Sequence, residues 1–79
     1  MVADTATRVA AILREVLSLH PDRDIDTVAQ GSVSSWDSLA HVSIVLALES
    51  EFGIGLDLSD QLSLTSYRAI VAHLKGLER

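Results

Sequence analysis

Apolar residues recur in three stretches at the three- and four-residue spacing of a helix that buries one side. In the first, residues 4–19, Val9, Ile12, Leu13, Val16 and Leu17 share a face, and Asp4 or Thr5 supplies the cap. His20-Pro21 is its predicted stop, because the residue before a proline is pushed out of the α region. The second and most regular stretch covers 38–52, with Leu39, Val42, Val45, Leu46, Leu48 and Phe52 in register. Asp37 stands where an N-cap belongs and Gly53 where a left-handed C-terminal residue belongs. The third opens at Thr65 or Ser66, turns Tyr67, Ile70, Val71 and Leu74 inward, and is expected to end at Gly76. Residues 20–36 form a long connection rich in Asp, Ser and Gly, pinned by Ile25, Val28, Val33 and Trp36, with one helical turn expected near 26–29. A loop of this length is uncommon in a compact domain and tends to be functional. Residues 54–58 alternate apolar with small or polar residues (Ile54, Leu56, Leu58). They find no second strand to pair with, so they read as an extended connector, followed by a short helical turn over 58–63. The fold class is all-α: a small four-helix bundle, three helices longer and one short, with a long loop between the first and second helices.

Length and composition narrow what such a bundle can be. Seventy-nine residues allow a single domain, 1–79, with one core. Hydrophobic residues make up 48%, which excludes a disordered acidic tail. Trp36, Phe52 and Tyr67 are the only aromatic residues, so the core is aliphatic. Without cysteine there is no disulfide, no thiolate metal ligand and no chemistry that uses a protein thiol. His20, His41 and His73 lack metal-ligand spacing, so no metal site is expected. The longest apolar run, Ile44–Leu48, is far short of the ~20 residues a spanning helix needs. Asp4 and Arg8 interrupt the N-terminus, so no signal peptide is readable. The expectation is a soluble, cytoplasmic, monomeric domain, too small for a deep catalytic pocket of its own.

Charge is unevenly spread. The net charge is −5, yet residues 24–67 hold seven acidic side chains and no Lys or Arg. Such a stretch cannot track a phosphate backbone, which argues against nucleic acid. It steers instead toward a basic partner surface.

Ser38 is the leading candidate for chemistry. It is placed in the first turn of the central helix, where backbone N–H groups lack acceptors and the helix dipole favours negative charge. A phosphate esterified to its hydroxyl would sit in a favourable field. Asp37 would repel that phosphate directly, but could share a Mg²⁺ with the phosphates of an incoming donor. On this pair alone, Ser and Asp at a helix start are ordinary capping residues.

The surroundings add to it. Asp37-Ser38-Leu39, then Val42, then Ala47-Leu48-Glu49-Ser50-Glu51-Phe52, resembles the acyl carrier protein family, as do Leu64-Thr65-Ser66 and the aliphatic first helix. The resemblance covers nearly the whole chain. It implies a four-helix bundle whose motif serine, here Ser38, carries a 4′-phosphopantetheine arm donated from coenzyme A by a phosphopantetheinyl transferase, with Asp37 and Leu39 completing the motif. Acyl intermediates then ride on the arm's thiol as thioesters, which suits a chain that has no thiol of its own. Met1 and the short flanks are read as those of a free-standing carrier, and the aliphatic core as one that could open between helices to shelter an acyl chain.

Departures from the family pattern are informative. Ser35-Trp36 stands where fatty-acid carriers have a glycine-alanine pair before the motif. Ala40 and Ser43 stand where they have acidic residues two and five positions after the serine. Ala40, Ser43, Ala47 and Ser50 share one face, with Leu46 near its edge. Docking by shape and apolar contact is therefore expected, on partner enzymes with basic or apolar surfaces. The predicted role is a non-enzymatic carrier in a specialised pathway (polyketide, lipid-modifying, polysaccharide or other metabolite assembly). Peptidyl carriers usually show two glycines shortly before the serine, which Ser34-Ser35-Trp36 does not match. Trp36 either packs the long loop or lines a partner contact. His41, three residues after Ser38, is read as touching the phosphate or a partner acid rather than as a catalytic base, since no oxyanion hole or enclosing pocket can be argued for. The alternatives are an unmodified acidic helical adaptor for a basic partner, a carrier of aminoacyl or peptidyl groups, and, more remotely, a hydrolase using Ser38 and His41.

Overall fold

The computed structural model describes residues 4–77; Met1 and the C-terminal charges Glu78 and Arg79 lie outside them. The described residues form four α-helices: α1 (Thr5–Val16), α2 (Ser38–Phe52), α3 (Leu58–Ser63) and α4 (Tyr67–Leu77). A single 3-10 turn, Ile25–Thr27, sits in the long loop, slightly ahead of its expected place.

Each helix starts on a short polar side chain that accepts an otherwise orphaned backbone N–H. Asp4 accepts from Thr7, Asp37 from Ala40 and Asp57 from Asp60, each at 2.8 Å, and Ser66 Oγ from Ala69 at 3.0 Å. Thus the caps are Asp4 rather than Thr5, and Ser66 rather than Thr65. Gly53 ends α2 with φ 64°, the left-handed conformation that glycine adopts without a Cβ clash.

Two helix ends differ from expectation. α1 stops at Val16, before His20-Pro21 is reached. Ser18 takes the left-handed conformation (φ 52°), its N–H donating to the Glu15 carbonyl at 3.3 Å, and Leu19 N–H reaches back to the Arg14 carbonyl at 3.0 Å. This paired closure satisfies two carbonyls at the end of the helix, so the proline has no helix left to break. Gly76 does not terminate α4, which continues to Leu77, the last described residue.

The core joins Val9, Leu13 and Leu17 on the α1 side to Ile44, Val45 and Leu48 of α2 and to Tyr67, Ile70 and Leu74 of α4. Val28, Val33 and Trp36 from the loop complete it, with Leu56 and Leu64 flanking α3. Hydrogen bonds hold the loop down. Gln30 N–H donates to the Thr65 carbonyl at 2.8 Å, Tyr67 N–H to the Val28 carbonyl at 3.0 Å, and Ser35 Oγ to the Leu17 carbonyl at 2.9 Å. Tyr67 also donates its hydroxyl to the Ala6 carbonyl at 3.3 Å, tying α4 to α1.

Leu39, Val42 and Leu46 do not belong to that core. They lie on the outside of α2, Leu39 76% and Leu46 60% exposed, while Ile44, Val45 and Leu48 are buried and Phe52 is half-buried. Apolar residues run all the way round α2, so spacing alone cannot select its inner face.

Candidate functional site

The loop delivers the chain to the start of α2 with Trp36 buried and Asp37 and Ser38 exposed. Asp37 has extended backbone (φ −92°, ψ −173°), which lets its carboxylate turn back onto the Ala40 N–H. Only Oδ1 is engaged in that bond. Ser38 is the first helical residue, and no hydrogen bond among the described residues uses its hydroxyl. The N–H groups of Ser38 and Leu39 have no intrahelical acceptor, so partial positive charge gathers where that hydroxyl projects. An exposed, unengaged hydroxyl at this place fits a phosphate ester without rearrangement of the fold.

The partner-facing candidates separate into two sets. Ser43, Leu46 and Ser50 are exposed, and Ala40 and Ala47 are half-buried. Together with exposed Val42 and the exposed motif residue Leu39 they give α2 a small-residue and apolar surface that begins beside Ser38. Trp36 and His41 do not belong to it. Trp36 is 2% exposed, so its place is in the core and not on a partner-facing surface. His41 is half-buried and both its ring nitrogens are engaged: Nδ1 accepts the Trp36 indole N–H at 3.0 Å, and Nε2 lies 2.8 Å from the Gln61 carbonyl. It therefore has no free nitrogen for a phosphate, a partner acid or the Ser38 hydroxyl, and Ser38 and His41 are not arranged as nucleophile and base.

Two features went unrecognised in the sequence. Leu58 and Leu62 of α3 are exposed, a second apolar pair at helical spacing. Gln61 is the other: its carbonyl receives His41 and its side-chain amide donates to the Leu56 carbonyl at 2.9 Å. The two leucines could have been read from their spacing; the role of Gln61 depends on a contact twenty residues away in the chain.

An open groove of about 250 Å³ lies elsewhere, lined by Thr7, Arg8, Ala11, Ile12, Glu15 and Glu51. Glu51 is at the far end of α2, roughly 20 Å along the helix axis from Ser38. Arg8 organises that end, bonding the Glu51 carboxylate at 3.0 Å and carbonyl at 2.7 Å while its guanidinium lies 4.2 Å from the centre of the Phe52 ring. This is a clamp on the helix terminus, away from the serine.

Comparison with known proteins bears on what the serine is for. The family model described as "Phosphopantetheine attachment site" matches residues 7–74. The chain belongs to the acyl carrier protein family. Among curated relatives it is similar to Acyl carrier protein 4, chloroplastic, from Arabidopsis thaliana, with 36% identity over 64 residues, covering 81% of this chain and 47% of that protein. It is also similar to Acyl carrier protein 3, chloroplastic, from Cuphea lanceolata, with 39% identity over 54 residues, covering 68% of this chain and 38% of that protein. The chain thus spans less than half the length of these relatives. No solved structure matches it. The relatives' names place those proteins in the chloroplast, so a cytoplasmic location for this chain draws no support from them. No helix among the described residues is long and apolar enough to cross a membrane. Membership of the family implies a covalently attached 4′-phosphopantetheine.

Proposed function

We propose that Ser38 is the residue that bears the phosphopantetheine and that this domain acts as a non-enzymatic carrier of acyl thioesters in a specialised pathway. The observation that carries the attachment assignment is the combination at one place of an exposed hydroxyl with no hydrogen-bond partner and a helix start with free N–H groups. Asp37 has two parts to play. Its Oδ1 holds the Ala40 N–H and so keeps the helix start open, and its other oxygen is available to a Mg²⁺ shared with the donor's phosphates in the transferase complex. Leu39, exposed beside Ser38, offers that transferase an apolar contact.

Support for a specialised partner set comes from the surface that follows the serine. Ala40, Ser43, Ala47 and Ser50 are uncharged, and Leu39, Val42 and Leu46 add apolar area. Partners that read this surface do so by shape and apolar contact, while the acidic excess of residues 24–67 draws in their basic rims from a distance. Sheltering an acyl chain inside the bundle would require helices to part, and α3, which buries no side chain among the described residues, is the element freest to move.

Incubation with coenzyme A, Mg²⁺ and a broad-specificity phosphopantetheinyl transferase, followed by intact-mass measurement, tests the attachment. The wild type gains one phosphopantetheine and Ser38→Ala gains none. An unmodified wild type beside a control carrier that is fully converted would instead favour the acidic adaptor.

A further inference from the structure

The first turn of α2 carries Ser38 but is weakly anchored by its own side chains. Ser38 and Leu39 are exposed, Ala40 and His41 are half-buried, and the first buried residue of the helix is Ile44. Two bonds close the turn from within: Asp37 Oδ1 accepts from Ala40 N–H at 2.8 Å, and the Asp37 carbonyl accepts from His41 N–H at 2.9 Å. Both join exposed Asp37 to the turn it caps, so neither fixes that turn to the core. A helix start held only in this way frays.

The His41 side chain supplies the missing anchor. Its Nδ1 accepts the Trp36 indole N–H at 3.0 Å, and the two rings stack with centroids 6.0 Å apart and planes 24° from parallel. An indole N–H can only donate, so Nδ1 carries no proton and the ring proton sits on Nε2, 2.8 Å from the Gln61 carbonyl. Both ends of this bridge rest on buried residues. Trp36 is in the core, and the Gln61 side-chain amide donates to the carbonyl of buried Leu56 at 2.9 Å. Trp36 precedes Ser38 by two residues and His41 follows it by three, so the bridge spans the serine from one side to the other.

We propose that His41 is a positioning residue for Ser38: its two ring hydrogen bonds brace the first turn of α2 against Trp36 and α3, and so hold the serine hydroxyl in place before a transferase arrives. With the brace, the transferase meets a turn that is already ordered. Without it, the cost of ordering the turn falls on binding. The free N–H groups of Ser38 and Leu39 gather positive charge at the hydroxyl only while the turn is helical, so fraying also weakens the field that favours the incoming phosphate. His41 does no chemistry itself, because neither ring nitrogen is free to take the serine proton. The role presupposes that Ser38 is the attachment residue.

Trp36 is the sole tryptophan, so biosynthetic exchange of tryptophan for benzothienylalanine alters one side chain, keeping the bicyclic shape but placing sulfur where the N–H was. His41→Leu removes both ring bonds, and His41→Gln keeps one acceptor and one donor. Steady-state transfer from coenzyme A by a broad-specificity phosphopantetheinyl transferase is measured on each folded protein, with amide exchange of the unmodified forms alongside. The benzothienylalanine and His41→Leu proteins should raise the KM for the carrier about fivefold, the equilibrium effect of one uncharged hydrogen bond, with kcat unchanged. Exchange of the Ala40 and His41 N–H groups should quicken by a similar factor. His41→Gln should return KM most of the way to the wild-type value. If His41→Leu does not fold, the benzothienylalanine protein decides, since its ring fills the same space and leaves no buried donor unpaired. A folded protein without the indole bond that keeps the wild-type KM overturns the proposal, as does unaltered exchange at Ala40 and His41. A role confined to stability would lower the melting temperature and leave KM alone. A wild type that takes no phosphopantetheine on Ser38 would instead refute the attachment reading, and the exchange comparison, which needs no transferase, would still test the brace.

Discussion

Asp37 and Ser38 divide the work at the start of α2. The carboxylate satisfies one orphaned N–H, and the hydroxyl beside it is exposed and makes no hydrogen bond among the described residues, as the proposed attachment requires. Asp37→Ala removes the cap and is expected to cost about 1 kcal/mol of stability, measured by chemical denaturation. It should also slow phosphopantetheine transfer by more than that loss of folded protein explains, which transferase kinetics on the folded variant would show. Trp36 illustrates the opposite kind of residue. Its side chain fills the core and holds His41, so Trp36→Ala is expected to cost about 3–5 kcal/mol. That is comparable to the whole stability a core of this size supplies, about 3–5 kcal/mol, so the variant should lack a cooperative melting transition by circular dichroism.

Helix boundaries were legible where the signal was local, and faces and ties were legible only where one face was clearly apolar. Asp37 and Gly53 bracket α2 because an Asp cap and a left-handed glycine are chemical requirements of its ends, and both could be read directly. The end of α1 was not readable in that way. Ser18 adopts a conformation for which serine has no preference, and the neighbouring proline drew attention to a later position. Ser18→Gly should accordingly stabilise the protein by about 0.5–1 kcal/mol, seen as a raised denaturation midpoint with an unchanged slope. The inner face of α2 was hidden because Leu39, Val42 and Leu46 are as apolar as the residues that are buried. The same exposure makes a separable prediction: Leu46→Ser should change stability by less than about 0.5 kcal/mol while weakening transfer to and from partner enzymes. High salt should affect that transfer less than this substitution does, since apolar contact is not screened. Ser38 was visible from its motif, whereas the link from His41 to Gln61 joins positions that no local pattern connects.

Across the whole molecule, the long loop and α4 are held to α1 by few polar contacts, and one of them titrates. Burial, reinforced by the negative charges of Asp26 and Asp4, raises the Tyr67 hydroxyl above its ordinary value, against a smaller opposing effect of Arg14. The folded state therefore prefers the neutral phenol that donates to the Ala6 carbonyl. Stability from this contact is complete below the usual tyrosine range and declines as pH rises through the raised value, so alkaline melts should lose temperature in step with tyrosinate absorbance. At the acid end, Asp4 is held below its ordinary value, chiefly by the Thr7 N–H it caps. Its contribution is present above the unfolded carboxylate value and is lost as pH falls through the lowered one.

The carrier assignment stands or falls on where the cofactor is attached. Residues 24–67 contain no Lys or Arg, so a trypsin digest leaves Ser38 in one long peptide with several other serines. Fragmentation of the intact modified protein in the mass spectrometer resolves them. The added mass should appear on fragments that include Ser38 and be absent from those that stop at Asp37. Its appearance on Ser32, Ser34, Ser35, Ser43 or Ser50 instead would contradict the account.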